Sequence, residues 1–264
     1  MPTTALNALR QYFSRSTRRY HEHARLQRRI AAELAEWLPR SDEPLSILEL
    51  GCGSGFLTRQ IVERFPQAAI DAIDISAEMI ELARQRLPAA NVRWQVADMN
   101  RWESPLRYDL IASSTALHWG DPLQDLVMQV RRQLRPGGRL AAAVMSAGTL
   151  TELHELRRQI APHKKPLRQL PREADLLDWV DGAGLTLVKA TTETTRQVYT
   201  SALELVRSLR QTGFTGGPFS QGSGGGLVRS ELEALIELYQ QRYGDPSGKV
   251  FATYRVTFVE AQKK

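Results

Sequence analysis

One cysteine, Cys52, occurs in 264 residues. No internal disulfide or cysteine-built metal cluster can form, and a reducing compartment is expected. There is no uninterrupted apolar run of the ~18–20 residues that a spanning helix needs. The opening stretch, MPTTALNALRQYFSRS, has no apolar h-region of a secretory signal. Together these point to a cytoplasmic protein with no membrane partner. Residues 5–38 contain neither glycine nor proline. Leu26, Ile30, Leu34 and Trp37/Leu38 recur there at spacings of three and four, which predicts one or two amphipathic helices in an N-terminal arm over 1–40.

Charge is unevenly spread. The net value is +6, but residues 1–40 carry eight arginines against three glutamates, and 157–172 carry Arg157, Arg158, Lys164, Lys165, Arg168 and Arg172 with no acid. The rest of the chain is net acidic, so two basic patches on an acidic body suggest docking of something acidic, a protein or a nucleic acid.

From Leu45 short apolar runs alternate with helical stretches: LSILEL, FLTRQIVERF, AIDAIDI, SAEMIELARQRL, VRWQVAD, YDLIASS, PLQDLVMQVRRQL and RPGGRLAAAVM. Such alternation predicts an α/β fold with a mostly parallel sheet and helices on both faces. Ser76 is placed to cap the helix from Ala77, and Pro136-Gly137-Gly138 reads as a helix stop with a turn into the next strand. Beyond Met145, helices are expected at 151–161, 173–182, 202–211 and 230–243, with strands at 185–199 and 249–260. Phe251, Tyr254 and Val256 to Val259 are candidate core in the last strand, which should run antiparallel. Seven glycines in 213–226 read as a loop.

The stretch Ile47-Leu48-Glu49-Leu50-Gly51-Cys52-Gly53-Ser54-Gly55 carries the chemistry. Glycines at a strand end allow a tight turn and close approach of a ligand. A dinucleotide turn reads G-x-G-x-x-G and aims a helix N-terminus at phosphate. Here Gly51, Gly53 and Gly55 follow G-x-G-x-G behind Glu49, and an acid is a poor neighbour for phosphate.

This stretch resembles the first motif of the S-adenosylmethionine-dependent class I methyltransferases, which have a Rossmann-like fold with a seven-stranded sheet. The resemblance continues in order over 45–146, the expected cofactor-binding core. Asp74, with Ile75 after it, corresponds to the acid that accepts from both ribose hydroxyls. Asp98 and Met99 stand at the adenine position. Ser113 and Ser114, then Ala116, Leu117, His118 and Trp119, flank the methyl and methionyl end. His118 is a pocket residue or a general base on this reading. The proline pair and aromatic residue that base-amine methyltransferases place after the fourth strand are absent from SSTALHW, and there is no second cysteine for covalent cytosine chemistry.

The flanks are more particular. Phe13-Ser14-Arg15-Ser16, Tyr20-His21-Glu22-His23-Ala24-Arg25-Leu26-Gln27, Gly148-Thr149-Leu150-Thr151-Glu152-Leu153-His154 and Leu205-Val206-Arg207-Ser208-Leu209-Arg210-Gln211-Thr212-Gly213 are similar to segments of the malonyl-acyl carrier protein O-methyltransferases of biotin synthesis. That family methylates the free carboxylate of a malonyl thioester. Resemblance to it implies one methyltransferase domain over 1–264, with a helical lid insertion at 200–248 before the last strand. Malonyl-acyl carrier protein or malonyl-coenzyme A would be the partner. A carboxylate is already nucleophilic, so positioning and water exclusion are needed rather than a general base. Arg207 is the candidate grip on the carboxylate, with Tyr20, His118 and Trp119 on the substrate and Gln27 on the cofactor. No metal is implied. The rival readings are a methyltransferase for a free acid such as trans-aconitate and, from another class, a non-catalytic nucleic-acid-binding protein.

Overall fold

The computed structural model describes residues 24–39, 45–89, 91–166, 168–212, 222–223 and 225–264. The elements run α1 (Arg25–Ala35), β1 (Ser46–Leu50), α2 (Phe56–Arg64), β2 (Ala69–Asp74), α3 (Ala77–Arg86), β3 (Val92–Val96), β4 (Tyr108–Ser114), a 3₁₀ turn (Leu117–Trp119), α4 (Leu123–Gln133), β5 (Leu134–Met145), α5 (Thr151–Ile160), α6 (Glu173–Gly182), β6 (Leu185–Tyr199), α7 (Ala202–Gln211), α8 (Arg229–Tyr243) and β7 (Val250–Lys263). The main sheet has the order β3-β2-β1-β4-β5-β7-β6, and Lys165–Pro166 pairs separately with Gly222–Ser223.

Two compact units are formed. The sheet unit comprises 24–145, 171–192 and 257–264. β1 lies between β2 and β4 and is parallel to both, with Ile47 opposite Ile70 on one side and Leu110 on the other. A central parallel strand is covered on both faces, so it reads as a continuous apolar run; Ile47, Leu48 and Leu50 are buried, and Glu49 is the exception. α1 packs on α2 through the face that buries Leu26, Ile30 and Leu34. The core under α4 and α6 joins Leu48, Ile111, Val127, Val130, Leu140, Val180 and Val259. Ser76 caps α3 as expected, its Oγ accepting from the Met79 N–H at 3.2 Å.

The PGG segment differs from expectation. α4 ends at Gln133 and the chain is already extended at Leu134, so Pro136 to Gly138 lie within β5. The register slips between Tyr108/Leu134 and Leu110/Arg139, and the extra residues form a bulge. A residue preceding proline is pushed to extended geometry. A Cβ on Gly138 would stand 2.9 Å from the Tyr108 and Arg135 carbonyl oxygens, so only glycine fits.

The second unit comprises the described parts of 146–170 and 193–256. Its helices α5 and α7 both pack on α8. Tyr199 and Tyr254 share a hydroxyl hydrogen bond of 2.7 Å, and the Tyr239 hydroxyl donates to the Phe251 carbonyl at 2.9 Å. The Ser146 N–H reaches the Arg255 carbonyl and the Leu150 N–H reaches that of Thr253. One chain rises as the other falls, so β7 runs antiparallel to β5. Tyr254, Val256, Phe258 and Val259 are buried as expected, whereas Phe251 is half-buried on the alternate face beneath Arg196, 4.6 Å from its ring.

Candidate active site

The glycine turn leaves β1 with Gly51, Gly53 and Gly55 at φ +71°, +52° and +84°. L side chains rarely adopt this region. At Gly51 the demand is also steric, since a Cβ there would come within 2.3 Å of the Ala116 Cβ on the loop after β4. That approach closes a cradle of bare backbone. Cys52 is buried within it, consistent with a packing role.

Three carboxylates border this turn or follow neighbouring strands. Glu49 is 1 % exposed, and its Oε2 has no hydrogen-bond partner. Burial pushes its carboxyl up to about 8, the Thr58 side chain pulls it partly back, and the charge of Asp74 pushes it up again. Asp74, at the end of β2, accepts the Gly53 N–H on one oxygen and the Ser76 N–H on the other, both at 2.9 Å. Burial raises its pKa against these backbone donors. Each oxygen retains a second lone-pair direction, so the carboxylate can still accept from a diol. Asp98, after β3, accepts from the Asn100 N–H and Nδ2, both at 2.9 Å. Asn100 Oδ1 in turn accepts the Asp121 N–H at 2.8 Å, tying the loop after β3 to the loop after β4.

The remaining expected positions divide. Ser113 donates to the Leu50 carbonyl at 2.8 Å and is fully buried, a strand-to-strand tie rather than a ligand contact. Ser114 Oγ is buried with no partner, as is Gln27 Oε1 on α1. Met99 packs beside the sheet core, and Ile75 is half-buried. His118 is buried, its ring 5.3 Å from that of Trp119 on the 3₁₀ turn. Arg207 is exposed on α7 of the second unit, and Tyr20 lies outside the described residues. Not foreseen were Thr58 beside Glu49 and Asn100 linking two loops; Ala116, expected at the methyl and methionyl end, lies against Gly51. Asn100 had a sequence signal, its place two residues after an aspartate in an Asx turn; Thr58 had none.

The basic patch at 157–172 is corrected. Arg158, Lys165 and Arg172 are exposed, but Arg157 and Lys164 are buried, at 7 % and 8 % exposure. Lys164 Nζ donates to Glu231 Oε2 at 2.7 Å and to the Gly226 carbonyl at 3.0 Å. It fastens the start of α8 instead of meeting a partner. Arg172 is engaged with Asp175.

These groups fit S-adenosylmethionine. Unpartnered Glu49 Oε2 and Ser114 Oγ, a carboxylate at each of two strand ends and a cradle that a Cβ would fill suit a cation bearing a diol and an amino acid tail.

Sheet order, glycine turn and strand-end carboxylates define a methyltransferase of the Rossmann-like class, and a family model described as a methyltransferase domain matches residues 47–138. Solved structures share the fold. The Bacillus subtilis YcgJ protein superposes with a TM-score of 0.63 at 14 % identity, covering 89 % of this chain and 98 % of that one. Streptomyces coelicolor geranyl diphosphate C-methyltransferase, solved with S-adenosyl-L-homocysteine, gives 0.52 at 15 % identity over 89 % and 78 %. The malonyl-[acyl-carrier protein] O-methyltransferase of Halalkalibacterium halodurans is 30 % identical over 96 % of both chains, and that of Acetivibrio thermocellus 28 % over 97 % of this chain and 93 % of that protein. The chain belongs to the malonyl-[acyl-carrier protein] O-methyltransferase family.

Proposed function

We propose that the chain transfers a methyl group from S-adenosylmethionine to the free carboxylate of malonyl-acyl carrier protein. Its likeness to that family along nearly the whole of both chains carries this reading. The cofactor, when bound, supplies a methyl on a sulfonium, which leaves as a neutral thioether. A carboxylate oxygen forms the new bond with its own lone pair and no proton moves, so the chain needs no general base. Its task is to bind, orient and exclude water.

Asp74 holds the ribose diol and Asp98 the adenine amine; Gly51, Gly53 and Gly55 admit the methionyl part, and Glu49 and Ser114 supply polar contacts to it. Ile75, Met99 and Gln27 complete the cofactor contacts. Arg207, Tyr20, His118 and Trp119 are the substrate candidates of the same reading. The chain works as one methyltransferase domain in the cytoplasm, with an arm (1–40), a core (45–146) and a lid insertion (200–248). No helix among the described residues is long and apolar enough to cross a membrane. Acyl carrier protein is the partner and nucleic acid is not.

Incubation with malonyl-acyl carrier protein and methyl-labelled cofactor, followed by mass spectrometry, tests this. A labelled methyl ester on the malonyl group is expected. Turnover of a free small acid with none of the thioester would overturn the substrate assignment, and salt-sensitive nucleic-acid binding without methyl transfer would overturn the activity.

A further inference from the structure

Arg157 stands on α5 with 7 % of its surface exposed, and its Nε and Nη2 are buried without a hydrogen-bond partner. A guanidinium stays charged in proteins, and buried charges are normally paired. The carboxylate that acts on it, Glu231, is already committed. Its Oε2 takes Lys164 Nζ at 2.7 Å and the Val228 N–H at 2.8 Å. Lys164 is itself buried. His154, one turn earlier, is pushed down to about 4 by burial and by Arg157 and Arg158, so it is neutral at pH 7 and adds no third positive charge. Among the described residues, two buried cations thus face one carboxylate. The surplus charge sits on the group whose two free donors share one edge of a planar fork, an arrangement that matches the two oxygens of a carboxylate or phosphate. Exposed Arg207 holds its charge in water, where a single ion pair is weak.

We infer that Arg157 receives an oxyanion of the acyl substrate through its Nε–Nη2 edge. The assignment rests on the reading of the chain as a malonyl thioester methyltransferase. Such a substrate offers two oxyanions, the free malonyl carboxylate and the phosphate of the pantetheine arm, and both suit the fork.

The test compares the wild-type chain with Arg157→Met and Arg157→Lys on malonyl-acyl carrier protein, malonyl-coenzyme A and malonyl-N-acetylcysteamine, which has no phosphate. Thermal melts with malonate and with inorganic phosphate accompany the kinetics. The Met variant should melt no lower than wild type, because an apolar chain of similar length replaces an unpaired buried charge. Its kcat/KM should nevertheless fall about 10- to 100-fold. A fall on all three substrates assigns the carboxylate, and a fall on only the two phosphate-bearing ones assigns the arm. The matching free anion should raise the wild-type Tm and leave that of the Met variant unmoved. The Lys variant, which keeps the charge but not the fork, should recover activity only in part, and it decides the matter should the Met variant not fold.

Unchanged kcat/KM on all three substrates, or equal anion-induced Tm shifts in wild type and variant, would overturn the assignment. If the wild type methylates none of the thioesters, the functional reading fails. The anion shift, present in wild type and lost in the Met variant, would then still uphold the site.

Discussion

Asp74 and Arg157 are both charged side chains drawn away from water, yet their surroundings are opposite. Asp74 takes a backbone N–H on each oxygen, whereas the Nε–Nη2 edge of Arg157 takes nothing. The sheet unit concentrates acid in Glu49, Asp74 and Asp98, each at or near the end of a parallel strand. The second unit concentrates base in Arg157 and Lys164, set against Glu231. An acidic cradle suits a cationic methyl donor, and a basic one suits an anionic acceptor. One charge is preorganised by backbone and the other awaits its partner. Predictions that break the backbone side of this comparison carry the largest effects.

Gly51→Ala should be the most damaging. The new Cβ would meet the Ala116 Cβ at 2.3 Å, and φ would remain at +71°. Overpacking together with left-handed strain should cost about 2–4 kcal/mol. Urea unfolding should show that loss, and calorimetry should show no S-adenosylmethionine binding. A variant of wild-type stability that binds the cofactor would show that the turn tolerates a side chain.

Asp74→Ala comes next. It removes a charged acceptor and frees the Gly53 and Ser76 N–H groups. Hydrogen bonds to charged groups are worth about 1.5–3 kcal/mol, so cofactor affinity should fall roughly ten- to a hundredfold. NAD should not bind measurably to either protein. Unchanged affinity in a folded variant would remove Asp74 from the site.

Legibility from sequence follows the same division. Gly51 to Gly55, Asp74 and Asp98 sit at fixed distances from apolar runs, and their roles depend on strand ends that the pattern itself marks. Ser76 could be read as a cap because its partner, Met79, is three residues away. Lys164 could not be read correctly. Its partner Glu231 lies 67 residues on, and without that pairing a basic run looks like solvated surface. The PGG segment misled for a different reason, since a bulge needs the facing strand, β4, to define it. Arg157 belonged to the same basic run, and only its burial distinguishes it.

The pH dependence divides between the two units, with Glu49 and Asp74 in one and His154 in the other. The Glu49 carboxyl is raised to about 8 in the folded chain from an ordinary 4.5, so between those values the folded state keeps a proton that the unfolded state has released. Its contribution is complete below about pH 4.5 and is lost as pH rises through about 8, at up to ~1.4 kcal/mol per pH unit. Asp74, also raised, acts in the same direction. His154, kept neutral by burial with its value pushed down to about 4, works the other way up to about pH 6.5. Urea unfolding should therefore show the fall between about pH 6.5 and 8, and Glu49→Gln should remove it. A cationic ligand favours the ionised carboxylate, so binding should release a proton. Calorimetry in two buffers of different ionisation enthalpy measures that release, and a heat independent of buffer would show that Glu49 does not sense the ligand.

The smallest effect concerns the carrier protein. With Lys164 committed to Glu231, the steering charges left in the 157–172 segment are the exposed Arg158 and Lys165. Acyl carrier proteins are typically acidic, so these cations should speed encounter while adding little to the bound complex. Such steering is screened within about 8 Å at physiological salt. Arg158→Glu with Lys165→Glu should lower kcat/KM for malonyl-acyl carrier protein a few-fold at low salt, leave malonyl-coenzyme A nearly unchanged, and lose its effect as salt is raised. Lys164→Glu should behave differently. It places two carboxylates together at the start of α8, so it should lower Tm and depress turnover of both substrates alike. If Lys164→Glu instead changed only the carrier substrate and left Tm intact, its charge would be acting on a partner and not on Glu231. If the double reversal left the ratio of the two substrates unchanged at every salt concentration, steering would have to come from the arginines of the N-terminal arm, Arg15, Arg18 and Arg25.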